Sequence, residues 1–225
     1  MEGCLDIKVT YLNITGNLSL NGEMSADNVT VQVNSHWTSE LGILLERGST
    51  AVINNTLFFS GVEDSYFDIE VLGTATITNA TFAHINNGLI INSPNVVISD
   101  IGIHYCNEYG MQIISSDISI TDSIIINNNG ADIRIEGSNV VMTDCDFNRS
   151  KVEVVDGTLS ARGNMVIRVI NENSENVSDA QVLVKDLEQS LIYSGATDAN
   201  GKVTIEGKIF EMVAEGGKTG TFFKT

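Results

Sequence analysis

The sequence predicts an all-β protein: a solenoid of about seven coils of parallel strands over residues 1–164, then a small β-sandwich over residues 165–225. Three observations predict it. A four-residue β pattern recurs at near-constant spacing, an Asn or Asp follows it in the later copies, and the register stops after Gly163-Asn164.

The recurring segments are Ile7–Thr10, Val29–Gln32, Ala51–Asn54, Ala75–Thr78, Val96–Ser99, Ile118–Thr121 and Val140–Thr143. Their last residues are separated by 22, 22, 24, 21, 22 and 22 positions, and the first and third residue of every copy is apolar. Alternation of period two means that one face is buried, so Ile53, Ile77, Ile98, Ile120 and Met142 are expected to form one inward ladder. Around each copy stand a preceding strand, such as Leu89–Ile91 or Met111–Ile113, and a following one, such as Ile101–Ile103 or Ser123–Ile125. Three strands in so few residues leave no room for a crossover helix, so the chain must coil and stack. At about 4.8 Å per coil, seven coils make a rod of roughly 34 Å. The stretch Thr38–Arg47 also carries a helix-start signal, but its place in the repeat favours a strand.

Composition agrees. The chain has 225 residues, 42% hydrophobic and 18% charged, with one proline, Pro94, and 20 glycines. It is rich in Asn, Thr, Ser, Val and Ile, which suits strands joined by tight turns. The net charge of −17 repels phosphate backbones and anionic lipid, so nucleic acid is not an expected partner. No apolar run is long enough to span a membrane. The opening Met1–Asp6 does not read as a signal peptide, so an exported parent would have lost its signal. Cys4, Cys106 and Cys145 form no metal-type spacing and are expected to be free structural thiols.

After the aligned segments come Asn55, Asn79, Asp100, Asp122 and Asp144, residue types that tolerate the left-handed backbone of a tight corner. Tyr11 and Val33 break the pattern in the first two copies. The repeat phase and the Asn/Asp corner, over about residues 5–164, resemble the right-handed parallel β-helix family. That family includes pectate lyases, carbohydrate-binding and sugar-hydrolase repeats, and many archaeal and bacterial surface proteins. The segment from Val166, with Val177-Ser-Asp-Ala-Gln-Val-Leu-Val-Lys-Asp186 and Tyr193-Ser-Gly-Ala-Thr-Asp-Ala-Asn-Gly-Lys-Val203, resembles carboxypeptidase-regulatory-like (transthyretin-like, Ig-type) modules. Such modules are structural, and here few residues remain to complete one. Asn200-Gly201 marks a hairpin.

Function on such a rod lies in its outward stripes. The resemblance to lyases implies clustered carboxylates for calcium with an Arg or Lys base. Asp132, Arg134, Glu136 and Glu153 are the candidate cluster, in an outward series with Glu70, Ile90, Gln112 and Lys151; a solvated face of mixed charges is the favoured reading. Asp100, Asp122 and Asp144 would stack about 4.8 Å apart, where calcium would relieve their repulsion, although a turn role is favoured. No other cofactor is expected. Tyr66, Tyr105 and Tyr109, with His84 and His104, gather at the third corner and form a candidate glycan patch. Sequons at Asn13, Asn17, Asn28, Asn54, Asn79, Asn148 and Asn176 fit an exported protein. The expectation is a non-enzymatic extracellular or cell-surface spacer or adhesin whose partners are polysaccharide or other surface proteins. The rivals are a carbohydrate-active enzyme or sugar-binding protein, and a surface-layer or filament subunit.

Overall fold

The computed structural model of the protein describes residues 3–7, 10–33, 42–61, 67–185, 189–215 and 218–222, with side chains over 10–33, 42–61, 67–185 and 189–205. The chain winds into a parallel β-solenoid of about six turns. Helix among the described residues is limited to the 3-10 turn Arg149–Lys151.

Each full coil lays one strand in each of three stacks. The first stack runs through Leu18–Leu20, Ile43–Leu45, Ile69–Val71, Leu89–Ile91 and Met111–Ile114, the second through Thr50–Asn54, Thr74–Thr78, Val96–Ser99 and Ile118–Thr121, and the third through Leu57–Ser60, Thr81–Ala83, Gly102–His104 and Ile124–Ile126. In the last coils one strand passes through the first and second stacks without a loop, as Ile133–Thr143 and then Val152–Arg168. Gly157 makes the second of these bends at φ +117, where a Cβ would lie 2.0 Å from the Ser138 carbonyl oxygen. Only glycine lets the two coils approach so closely.

The inward ladder is in register: Ile53, Ile77, Ile98, Ile120 and Met142 lie on successive strands and are all buried. It continues to Ala26 at one end and Ala161 at the other. A second ladder in the third stack carries Phe58 and Phe82, whose rings stack 5.2 Å apart, then Ile103 and Ile125. Apolar side chains of similar size stacked along the axis bury one another, which holds successive coils together.

The register of the first two copies differs from the sequence reading. Val29–Gln32 does not precede Ala51–Asn54 in the second stack; Met24–Asp27 does, with Ala26 opposite Ile53 and Asp27 opposite Asn54. Thr30–Val33 instead pairs with Leu57–Ser60 in the third stack. Likewise Leu5 and Ile7 align with Met24 and Ala26. Both stacks alternate with period two, so a short apolar segment fits either one, and the corner residue decides. Correctly aligned, the corner residue after Asp27 is Asn28, not Val33. Asn28, Asn55, Asn79, Asp100, Asp122 and Asp144 all hold φ between 47° and 56°. Of Thr38–Arg47, the described part contains the strand Ile43–Leu45.

Parallel pairing ends at Arg162, opposite Thr143. On its other edge the same strand pairs antiparallel from Gly157 to Arg168 with Lys202–Glu215, which pairs in turn with Lys218–Phe222. Gln181–Lys185 and Leu191–Ala196 make a separate two-stranded sheet. Leu183 and Leu191 remain about 60% exposed there, so the described residues do not form the two facing layers of a sandwich core. The hairpin at Asn200-Gly201 is present: Gly201 has φ +68, and the Asp198 carboxylate accepts from the backbone N–H groups of Asn200 and Lys202 at 2.8 Å.

Candidate functional site

The outward row of the first stack reads Glu70, Ile90, Gln112, Arg134 and Glu153, strand by strand. Arg134 stands at its centre of charge. Its Nε donates to Glu136 Oε1 at 2.5 Å, and its Nη1 donates to Glu153 Oε2 at 2.9 Å and to the Tyr109 hydroxyl at 3.2 Å. The guanidinium also lies 5.3 Å from the centre of the Tyr109 ring, a cation–π distance. Gln112 donates to Glu136 Oε1 at 3.0 Å, so that carboxylate is held from two sides.

These bonds act on protonation. The hydrogen bond from Arg134 holds the Glu136 carboxyl below its ordinary range, and the same bond raises Arg134 further. Arg134 is thus locked in its charged form and cannot serve as a base. Because the folded pKa of Glu136 is depressed, its contribution to stability is present above the unfolded value and is lost as pH falls through the folded one. A Glu136→Gln chain is expected to be less stable than wild type at pH 7 by at most about 1 kcal/mol, given the exposure of the pair. Urea midpoints measured from neutral pH downwards should show this gap closing below about pH 4. A gap that is constant with pH would mean that the pair contributes nothing.

Asp132 does not belong to this face. It is fully buried, its Oδ1 accepting from Asn128 Nδ2 at 2.9 Å and Asn128 N at 3.3 Å, its Oδ2 from Asn148 N at 3.2 Å. It precedes the strand that starts at Ile133 and sits in the bend, where period-two alternation does not hold. Asp68 does the same work earlier in the solenoid, accepting from Asn86 Nδ2 and from both Asn87 N and Nδ2. Sequence reasoning missed these clips. The signal was present in Asn86-Asn87 and Asn127-Asn128-Asn129, runs of Asn entering the bend before a strand.

Asp100, Asp122 and Asp144 occupy equivalent corners on successive coils, and Asp144 Oδ1 accepts from Asn164 N at 3.1 Å. Among the described residues, no three His, Cys, Asp or Glu side chains are grouped to hold a metal ion. A corner ladder of one carboxylate per coil supplies too few oxygens at any one point for calcium, which takes six to eight. Earlier corners are tied by amides: Asn54 and Asn55 both donate to Asp27 Oδ1, and Asn79 donates to Asn55.

The tyrosines part company. Tyr105, in left-handed conformation, stacks on His84 at 5.2 Å and meets His104 edge-on at 5.1 Å. Burial, and then the neighbouring His84, lower the His104 pKa. Tyr109 lies instead under Arg134, and Tyr66 falls outside the described residues. Beside Tyr109 is a concavity of about 410 Å³ lined by Asn107, Glu108, Asn129, Gly130, Ala131, Ser150, Lys151 and Glu153. The Lys151 ammonium, part of this lining, donates to the Asn128 carbonyl. Cys106 is buried, which pushes its thiol up to about 12, and burial raises Cys145 also, so neither thiol is activated toward the thiolate. Cys4 lies outside the described side chains. No described helix is long and apolar enough to cross a membrane.

Parallel stacking, corner residues and internal ladders define the class as a β-helix repeat protein. The family described as the right handed beta helix region matches residues 16–177, most of the chain, and the protein belongs to it. No curated protein sequence and no solved structure matches the chain.

Proposed function

We propose that the protein is a rigid, non-catalytic rod of an extracellular or cell-surface assembly, acting as a spacer or adhesive stalk. The observation that carries this reading is the state of Arg134. It is the cation of the outward row, and two carboxylates and a tyrosine already occupy it. A β-elimination site needs a base of reduced pKa and several free carboxylates around a cation, and this row supplies neither. Residues 165–225 serve in this proposal as the joint to further modules, in the manner of carboxypeptidase-regulatory-like sandwiches. The exposed Leu183, Leu191 and Ile192 offer an apolar face that an additional strand or module would cover.

The test is an unsaturated-product absorbance assay on a panel of polyuronates, with a reducing-sugar assay on neutral glycans, with and without calcium. No turnover is expected in either. Turnover that disappears in an Arg134→Ala chain would overturn the reading in favour of a carbohydrate-active enzyme. Sugar contact without turnover is a second reading, favoured by the concavity beside Tyr109, with its mixture of amides, hydroxyl and carboxylates.

A further inference from the structure

The Asn-x-Ser/Thr pattern that N-linked glycosylation uses recurs along this chain, and the fold treats its copies very differently. Asn28, Asn54 and Asn79 stand at or beside the corner between the second and third stacks. Their threonines, Thr30, Thr56 and Thr81, enter the third stack. Thr30 and Thr81 lie in strands paired on both edges, and Thr56 is buried. The amide nitrogens of Asn54 and Asn79 are already engaged, donating to Asp27 and Asn55. Elsewhere, Ser19 of the Asn17 copy turns its hydroxyl to Glu46, and Asn176 Oδ1 accepts from Arg168 Nε at 2.7 Å.

Asn148-Arg149-Ser150 is arranged otherwise. It follows Asp146–Phe147, the strand that ends the third stack, and among the described residues no strand covers the outer edge of that strand. All three residues are exposed. Asn148 Oδ1 accepts from the Ser150 hydroxyl at 2.7 Å and from Ser150 N at 3.0 Å. Among the described residues Asn148 Nδ2 has no acceptor. The backbone beneath is fixed, Asn148 N donating to Asp132 Oδ2 at 3.2 Å and the Asn148 carbonyl accepting from Lys151 N at 2.8 Å.

We propose that Asn148 is a site of N-linked glycosylation on the folded protein, and that the fold closes the corner copies at Asn54 and Asn79. A carboxamide nitrogen is a poor nucleophile because its lone pair is delocalised into the carbonyl. The two donors on Asn148 Oδ1 stabilise the negative charge which that oxygen takes as Nδ2 loses a proton. In the transfer, Nδ2 gives one of its two protons to a base of the transferase and attacks the anomeric carbon of a lipid-pyrophosphate-linked oligosaccharide. The N–C bond forms as the C–O bond to the pyrophosphate breaks, and the lipid pyrophosphate leaves with the electron pair. Asn148 keeps Oδ1 and both of its bonds to Ser150 in the product, so the fold is undisturbed. The sugar then stands beside the concavity next to Tyr109, whose lining includes Ser150 and Lys151. Occurrence in the cell rests on the extracellular or cell-surface reading; the competence of the site rests on its geometry.

The test supplies the purified, folded full chain to a single-subunit oligosaccharyltransferase of Asn-x-Ser/Thr specificity with its lipid-pyrophosphate oligosaccharide. Short peptides spanning Asn54, Asn79 and Asn148 are run alongside, and occupancy is located by peptide mass. Asn148 in the folded chain is expected to react within about tenfold of its peptide. Asn54 and Asn79 should react at least about a hundredfold more slowly than theirs, because the enzyme reaches them only through local opening. Ser150→Ala should abolish modification at Asn148, and Ser150→Thr should retain it, with the melting curve of each variant confirming its fold. Asn148 left unmodified in the folded chain overturns the inference, whatever the peptides do. Equal rates at Asn54, Asn79 and Asn148 overturn it as well, since the fold would then not choose the site. Chain and donor are supplied directly, so the result is independent of where the cell sends the protein, and the non-catalytic reading is tested separately by the turnover assays.

Discussion

An Ile120→Asp chain is expected to lose at least about 4 kcal/mol of stability and to accumulate as insoluble protein, whereas Ser119→Asp is tolerated. The two positions are adjacent but face opposite ways, Ile120 fully buried and Ser119 exposed. Ile120 lies between Ile98 and Met142 in the inward ladder, within the cluster of buried apolar side chains. An ionised carboxylate placed there would give up its hydration with no compensating donor. Small domains are stable by only about 5–15 kcal/mol, so a single such change removes much of the total. The effect also spreads, because each coil of a solenoid is stabilised chiefly by its two neighbours. Thermal unfolding followed by far-UV circular dichroism is the measurement. Melting of the Ile120→Asp chain within a degree or two of Ser119→Asp would mean that the ladder is misregistered.

Removing the buried carboxylate of Asp132 should come second in size. Asp132→Ala leaves the Asn128 amide, the Asn128 N–H and the Asn148 N–H without their acceptor. The loss expected from breaking such a buried charged set is about 3 kcal/mol. Asp132→Asn keeps one acceptor oxygen and should lose less. The third bend should loosen with it, because Asn128 Oδ1 also accepts the Cys106 N–H at 3.0 Å. Labelling of Cys106 by a thiol reagent, located by peptide mass, should therefore be faster in Asp132→Ala than in wild type. If Asp132 were one more charge on a solvated face, both readouts would stay within the error of the wild-type values.

Both experiments bear on how function is distributed over the rod. Charges that the sequence places near one another serve two separate purposes. Asp132 fastens one coil to the next from inside, while Arg134, Glu136 and Glu153 tie the outer surface of adjacent strands. The concavity beside Tyr109 lies in the bends that lead into the first stack, with Glu153 the one lining residue on a strand.

The stacking axis, the period and the inward ladder were legible in the sequence alone. A period-two pattern repeated about every 22 residues leaves no other compact solution, and the left-handed corners follow from Asn and Asp. The positions of the first two coils were not legible, because Val29–Gln32 and Met24–Asp27 are both short alternating segments that satisfy the same local rule. Pairing with the next coil chose between them, placing Asn28 at the corner and Ala26 against Ile53. Nor could the direction of Asp132 be read. Alternation predicts facing only inside a strand, and the bend before Ile133 turns its carboxylate toward donors from its own bend, Asn128, and from the bend of the next coil, Asn148. The last strand shows the same limit at larger scale. Val152–Arg168 is a single strand that the repeat claims on one edge and an antiparallel neighbour claims on the other. Hydrogen bonding between distant segments decides such matters, and local residue pattern carries no record of it.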